Sequence, residues 1–278
     1  MDRIQKKQVR SLNKEFRALQ RREDKLMAAA VKARKPGWKK TLEEKVPEKV
    51  YTGLNSAFGK GFSLVFQHGR KAIELTYKKE KLTQNHMVHN AGFQSSGNRK
   101  EMKQIHNMAR KSNHLNIAVT TVEGIGLGAL GIGMPDIVLF LTTVLRGVYE
   151  TALHYGFEYE SRFEQMLILK MMAASLSSGE DWFHRNKEVN DWILKGGCEI
   201  SGEAFHAQIQ DTSSVFAVDM LLLKFIQGLP VVGILGGAAN PLYYHKITRY
   251  IQLKYKRRYL LNYQQMLQPK TGLKNRWP

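Results

Sequence analysis

The stretch GIGLGALGIGMPD, residues 124–136, decides between two fold classes. Gly126, Gly128 and Gly131 have the G-x-G-x-x-G spacing that lets a backbone approach a dinucleotide pyrophosphate. The same glycines would also give a helix a smooth face, against which another helix or a bilayer can pack closely. The first interpretation predicts an α/β enzyme, and the second predicts a helical protein.

The residues around this stretch disfavour the dinucleotide interpretation. A nucleotide-binding loop needs a strand before the glycines, a continuous helix after them and further βα units. The β-branched segment IAVTTV, residues 117–122, could serve as the strand. However, Pro135 interrupts the helix shortly after Gly131, and no later segment has the pattern of a parallel strand. We therefore do not predict a nucleotide site.

Apolar residues recur at helical spacing along most of the chain, and period-two alternation is nearly absent. The sequence therefore predicts an all-α fold, a helical bundle with two glycine-rich apolar hairpins or broken helices. The predicted helices cover approximately residues 3–34, 47–77, 100–113, 136–155, 161–176, 186–195 and 202–210.

The predicted domain organisation has two parts. Residues 1–35 form a basic amphipathic helix, and residues 36–278 form one helical domain. Within that domain, QNHMVHNAGFQSSGNRK, residues 84–100, is rich in Asn, Gln, Ser and Gly and predicts a polar loop or hinge.

A second glycine-rich stretch, GLPVVGILGGAANP, occupies residues 228–241 and precedes a basic aromatic helix. The apolar runs around both glycine stretches are close to the length of a membrane span, but a proline falls near the middle of each. Asp136 also places a carboxylate in the first run, which is costly in lipid. Packing in a soluble core and insertion into a bilayer both remain open.

Charge restricts the class of partner. The chain has 43 Lys and Arg against 24 Asp and Glu, a formal net charge of +19, which favours anionic lipid, nucleic acid or an acidic protein. The single cysteine, Cys198, excludes an intrachain disulfide, and the opening MDRIQKKQVR has no apolar signal core. We expect a cytoplasmic location.

The helix after Pro241 alternates tyrosines with cations, and no Asp or Glu follows residue 220. Aromatic and cationic side chains in this pattern are typical of single-stranded nucleic-acid binding and of a membrane interface. Because this helix directly follows an apolar glycine stretch, we favour the membrane and disfavour nucleic acid. The candidate membrane-contact residues are Lys254, Lys256, Arg257, Arg258, Tyr243 and Tyr244.

A polar stripe runs along the predicted helix that begins near Asp136, where Asp136, Thr143, Glu150 and His154 share one face and Arg146 lies at its edge. One interpretation is structural: Asp136 caps the helix and Arg146 pairs with Glu150. The other is a buried cluster that binds an ion or a small ligand.

Two other groups of polar side chains give only weak indications of a metal or catalytic site. His86 and His89 have helical spacing for a metal but no third ligand, and Glu180, Asp181 and His184 resemble a helix terminus more than an acid/base group. We predict no catalytic residue, metal or cofactor.

Three segments together resemble the EcsC family of bacterial proteins: TTVEGIGLGALGIGMPDIVLFLTTVLRGVYETALHYGFEYE (residues 120–160), GLPVVGILGGAANP with its basic helix, and the lead-in KARKPGWKKTLEEKVPEKVYTGLNSAF. The resemblance extends from about Arg22 onward. It implies an α-helical cytoplasmic protein, encoded in some bacteria beside an ABC transporter, with no established catalytic activity. The residues that match the family's polar pattern are Glu123, Asp136, Arg146, Glu150, Tyr155, Gly156 and Asn240.

From these patterns we expect a non-enzymatic helical protein at the inner face of the cell membrane, where it binds anionic lipid. An ABC transporter is the protein partner suggested by the resemblance. The alternative is a soluble enzyme or ligand-binding protein. Its candidate ligand-binding residues are Glu123, Asp136, Arg146, Glu150 and Asn240.

Overall fold

A computed structural model describes residues 2–32, 46–118, 134–226 and 239–271. All regular elements in these residues are helices, so the predicted all-α fold is confirmed. A π-helical turn, Val65–Gly69, joins the helix that ends at Leu64 to the helix that begins at Arg70. The α-helices are α1 (Arg3–Lys32), α2 (Glu48–Leu64), α3 (Arg70–Glu74), α4 (Lys79–Ser96), α5 (Arg99–Ala118), α6 (Met134–His154), α7 (Arg162–Leu176), α8 (Gly179–Lys195), α9 (Gly202–Ile226) and α10 (Ala239–Thr271).

Helix α1 begins with a reciprocal cap and packs into the bundle. Asp2 Oδ1 accepts from the backbone N–H of Gln5, and Gln5 Oε1 accepts from the backbone N–H of Asp2. Leu12, Phe16 and Leu19 are buried, and α1 contacts α10, α4, α8 and α5. Helix α1 thus shares one hydrophobic core with the other described helices.

The prediction of a polar loop at residues 84–100 is wrong, because α4 and the start of α5 occupy this segment. Phe93 is fully buried against the rest of the bundle, and tertiary packing of this kind overrides weak helix propensity. The break is confined to Gly97 and Asn98. Gly97 ends α4 in the left-handed conformation, with φ +62°, and Asn98 Oδ1 accepts from the backbone N–H of Lys100.

The glycine-rich stretches lie largely outside the described residues, and so does the hairpin prediction. Of the possible strand at residues 117–122, Ile117 and Ala118 belong to helix α5, and the other residues lie outside the described part of the chain. One described helix segment, Asp136–His154, is long and apolar enough to cross a membrane. Because 83% of it is buried inside the protein, its neighbours in the bundle already cover its apolar surface.

Helix α10 lies at the centre of one half of the bundle, in contact with α1, α5, α6, α7 and α8. Its apolar residues point in several directions, and Ile247, Ile251 and Leu260 are all buried. The other half is built on α2, α7 and α9, where Phe58, Phe62 and Phe216 form an aromatic cluster with ring centroids 5.3–6.5 Å apart. The two helices predicted at residues 186–195 and 202–210 are both longer than expected.

Candidate functional site

The cations predicted to contact the membrane lie in the interior. Lys254 is 1% exposed, and its Nζ donates to Glu23 Oε1 at 2.9 Å and to Asn190 Oδ1 at 2.9 Å. Burial lowers the pKa of Lys254 to about 8, and the Glu23 carboxylate opposes that shift. Lys254 therefore stabilises the contact between α10, α1 and α8 and is not available to lipid.

Lys256 is paired in the same way. Its Nζ lies 2.5 Å from Glu15 Oε2, and Arg99 Nε donates to the other carboxylate oxygen at 2.6 Å. Burial alone would raise the pKa of the Glu15 carboxyl, but the two cations outweigh burial and hold that pKa below its ordinary value. Burial lowers the pKa of Lys256 despite its carboxylate partner. Glu15 thus connects α1 to α5 and α10.

The remaining members of the segment KYKRR, residues 254–258, also have carboxylate partners. Arg257 Nη1 lies 3.0 Å from Glu23 Oε2. Arg258 Nη1 and the Tyr255 hydroxyl donate to the two oxygens of Glu164 on α7, at 2.6 and 2.7 Å. Three carboxylates thus pair with these four cations around one helix, and the predicted lipid contact of Lys254, Lys256, Arg257 and Arg258 is contradicted by their position.

The tyrosines of α10 are not at the surface either. Tyr243 and Tyr244 are 5% and 3% exposed, and the Tyr243 hydroxyl donates to the backbone oxygen of Asp219 at 2.9 Å. Their predicted contact with the headgroup region is therefore wrong. The same burial removes the surface on which bases could stack. The buried tyrosines of α10 are Tyr243, Tyr244, Tyr250, Tyr255, Tyr259 and Tyr263.

Exposed cations are concentrated instead on the outer face of α1. A row of them follows the helical repeat and spans roughly 43 Å, from a rise of about 1.5 Å per residue. None of these side chains forms an ion pair within the part of the chain that the structure describes. We call this the outer row; its members are Arg3, Lys7, Arg10, Lys14, Arg17, Arg21, Lys25 and Lys32.

Only some residues of the predicted polar stripe on α6 contact one another. Arg146 Nε donates to Glu150 Oε1 at 3.0 Å, and Ser112 Oγ donates to Glu150 Oε2. Asp136 is exposed in the first turn of α6, about 15 Å from Arg146 along the helix. The predicted ion pair of Arg146 with Glu150 is thus present, and Asp136 does not join it.

Two ligand-binding candidates are not placed by the structure. Glu123 lies outside the described residues, and Asn240 is described only as a backbone position near the start of α10. No group of three metal-binding side chains occurs among the described residues. His86 Nδ1 bonds to the backbone oxygen of His154 at 2.9 Å, and His89 Nδ1 lies 2.6 Å from Glu101 Oε2, so the two imidazoles have separate partners.

Sequence reasoning missed the carboxylates that neutralise α10. Glu15 and Glu23 fall on the apolar side of α1, the side that carries Leu12, Phe16 and Leu19. A carboxylate on that face requires a buried cationic partner, which was the available signal. The partners are more than 200 residues away along the chain, so spacing could not identify them.

Comparison with known proteins gives one match. No curated protein and no solved structure matches the chain. The model of the EcsC protein family matches residues 7–260, so the match begins earlier than the resemblance recognised from Arg22 onward. It includes most of the outer row, the three carboxylates and the KYKRR segment. The chain belongs to the EcsC protein family.

Proposed function

We propose that this protein is a non-enzymatic, peripheral protein of the cytoplasmic membrane surface, which binds anionic lipid through the outer row of α1. The observation that carries the proposal is a line of unpaired cations on one face of a helix whose other face is fixed in the bundle. A cation close to an anionic membrane surface contributes about 1 kcal/mol to binding.

The geometry of the outer row suits a planar surface. The row is long and lies on one face of α1, so several of its members could reach headgroups at the same time. Exposed apolar side chains lie beside it at both ends of α1: Ile4 is 44% exposed, Met27 42% and Val31 55%. Cations flanked by exposed apolar side chains are typical of helices that lie in a membrane interface.

Nucleic acid is a weaker candidate for the same surface. The only phenylalanine of α1, Phe16, is buried, so the outer face of α1 offers no ring on which a base could stack. The tyrosines that first suggested stacking are inside the bundle. An ABC transporter remains a proposed protein partner, supported by the family resemblance alone.

Vesicle cosedimentation tests the proposal. We expect the protein to bind vesicles that contain 30% phosphatidylglycerol and not to bind vesicles of pure phosphatidylcholine. High salt should release the protein from the anionic vesicles. The variant Arg10→Gln/Lys14→Gln/Arg17→Gln should lower the affinity on the order of 100-fold, since three cations contribute about 3 kcal/mol.

The matched control is Lys60→Gln/Lys100→Gln/Lys103→Gln, which makes the same change in net charge at exposed positions outside α1. If the two variants bind alike, net charge drives the association and the outer row is not the docking surface. Preferential binding to oligonucleotides over vesicles would favour a nucleic-acid partner instead.

A further inference from the structure

A cavity of about 340 Å³ lies between α1, α5 and α10. Four cations line it: Arg22 and Lys25 from α1, Arg110 from α5 and Arg249 from α10. The described lining residues include no carboxylate. Lining by several cations without an acid favours an anion, and the volume is within the range of small-ligand sites, about 300–1,000 Å³. We call this the basic cavity.

A hydrogen-bonded chain orients one of the cations. Arg22 Nη1 lies 2.5 Å from His106 Nε2, and because a guanidinium can only donate, Nε2 must accept. The Nδ1–H of His106 then donates to the Tyr155 hydroxyl at 2.8 Å. Burial, together with the charges of Lys256 and Arg22, lowers the pKa of His106 to about 3, so the imidazole is a neutral acceptor at physiological pH.

The other three cations that line the basic cavity can donate hydrogen bonds to a ligand. Lys25, Arg110 and Arg249 are exposed and form no ion pair with the described residues. This distinguishes them from Lys254 and Lys256, which lie on α10 like Arg249 and pair with glutamates. Guanidinium groups match the oxygens of a phosphate with paired N–H donors, so two arginines and a lysine beside Arg22 are suited to a phosphate.

A second cavity, of about 420 Å³, adjoins the first and is lined mainly by apolar side chains. The two share Leu26, His245 and Arg249 as walls. We call it the apolar cavity; its apolar walls include Leu26, Leu222, Leu242, Trp182, Tyr243 and Tyr250. The pair of cavities thus offers a charged compartment beside an apolar one.

We propose that the basic cavity binds the phosphate group of a ligand, and that the apolar cavity takes an acyl chain carried by the glycerol of the same ligand. The chemistry that recognises the ligand is the phosphate, which either a phospholipid headgroup or a water-soluble phosphate ester could supply. The apolar cavity favours the phospholipid. This inference does not depend on docking through the outer row, because a monomeric ligand needs no membrane surface.

The test is isothermal titration calorimetry of the full chain with two probes at low salt. One is glycerol 3-phosphate, and the other is dihexanoyl phosphatidic acid below its micellar concentration. We expect both to bind, the lipid at least tenfold more tightly. Arg110→Gln/Arg249→Gln should weaken both at least tenfold, whereas Lys60→Gln/Lys100→Gln, with the same loss of charge outside the cavities, should leave both unchanged.

A third variant separates the two sources of phosphate. Leu242 is 58% exposed, so Leu242→Gln should keep the fold while it weakens only the lipid. Equal affinity for the two probes, unaffected by Leu242→Gln, would overturn the acyl-chain part and leave a site for soluble phosphates. Failure of both probes to bind, or binding that survives Arg110→Gln/Arg249→Gln, would overturn the proposal.

The outer-row variant Arg10→Gln/Lys14→Gln/Arg17→Gln distinguishes this site from the docking surface. None of its three positions lines the basic cavity, so it should bind dihexanoyl phosphatidic acid as the unmodified protein does. Loss of vesicle binding with retained calorimetric binding would support both proposals separately. Loss of calorimetric binding in this variant would contradict a site confined to the cavities.

Discussion

Helices α1 and α10 are both rich in Lys and Arg, but the structure uses their charges in opposite ways. In the KYKRR segment of α10, Lys254, Lys256 and Arg257 are buried and Arg258 is half-buried, and all four pair with Glu15, Glu23 or Glu164, whereas the outer row of α1 faces solvent. The difference arises from the location of the acids: α10 has none of its own, and α1 supplies two of them from its inner face. Cationic density along a segment therefore does not indicate exposure.

Removal of Glu15 should have the largest effect, because it leaves Lys256 and Arg99 facing each other without a carboxylate. Breaking a buried ion pair by removing one partner costs about 3–5 kcal/mol. We expect Glu15→Gln to lower the free energy of unfolding by that amount in a denaturant titration. Asp24→Asn, an exposed acid on the same helix, is the control and should change it by less than about 0.5 kcal/mol. A loss below about 1 kcal/mol for Glu15→Gln would show that the pair is not desolvated.

Acid should lower the free energy of unfolding through the protonation of His154, which lies in the interior. This imidazole is 3% exposed, and neither ring nitrogen has a hydrogen-bond partner among the described residues. Burial, with a smaller effect from His86, lowers its pKa to about 4 from 6.5. Because the folded pKa is the lower one, the folded state binds fewer protons. Stability is then complete above about pH 6.5 and falls as the pH approaches 4.

The expected loss from His154 is on the order of 2 kcal/mol between pH 7.5 and pH 5, from about 1.4 kcal/mol per unit of pKa shift. His154→Leu removes the titrating group and should flatten this part of the stability profile, measured by denaturation at several pH values. An unchanged profile in His154→Leu would assign the acid sensitivity to other groups. His86 and His106, whose pKa values burial also lowers, are the next to be replaced.

Gly97 determines how closely the inner face of α1 approaches the turn between α4 and α5. A Cβ at this position would lie 2.9 Å from the backbone oxygen of Ile4 and 2.9 Å from the backbone nitrogen of Gln8, and φ is +62°. We expect Gly97→Ala to destabilise the protein by about 1–3 kcal/mol through strain and displacement of α1. Hydrogen exchange should show the loss of protection first in the N-terminal half of α1.

The control for Gly97→Ala is Gly53→Ala in α2, where an added Cβ meets no atom within 4 Å. That helical replacement should be neutral or stabilising by up to about 1 kcal/mol. If both replacements behave alike, the close approach at Gly97 does not constrain α1.

The all-α fold and the existence of α1 could be predicted because helical periodicity and helix signals are local. The location of α10 could not, because it depends on Glu15, Glu23 and Glu164, which are distant in sequence. The polar segment at residues 84–100 was misjudged for a related reason: side chains that favour turns are used here in tertiary contacts, as when Asn90 Oδ1 accepts from the Tyr263 hydroxyl at 2.6 Å. Local composition indicates propensity, and contacts across the chain determine which residues are buried.

Lys14 should show the smallest effect and gives the closest test of the comparison, since it precedes Glu15 in sequence and is exposed where Glu15 is buried. Lys14 is exposed and forms no ion pair with the described residues, so Lys14→Gln should change the free energy of unfolding by less than about 0.5 kcal/mol. The same substitution should weaken binding to anionic vesicles by about fivefold, equivalent to about 1 kcal/mol. A stability loss comparable to that of Glu15→Gln would mean that both faces of α1 are structural. Unchanged stability with weakened vesicle binding would separate a face that maintains the fold from a face that contacts lipid.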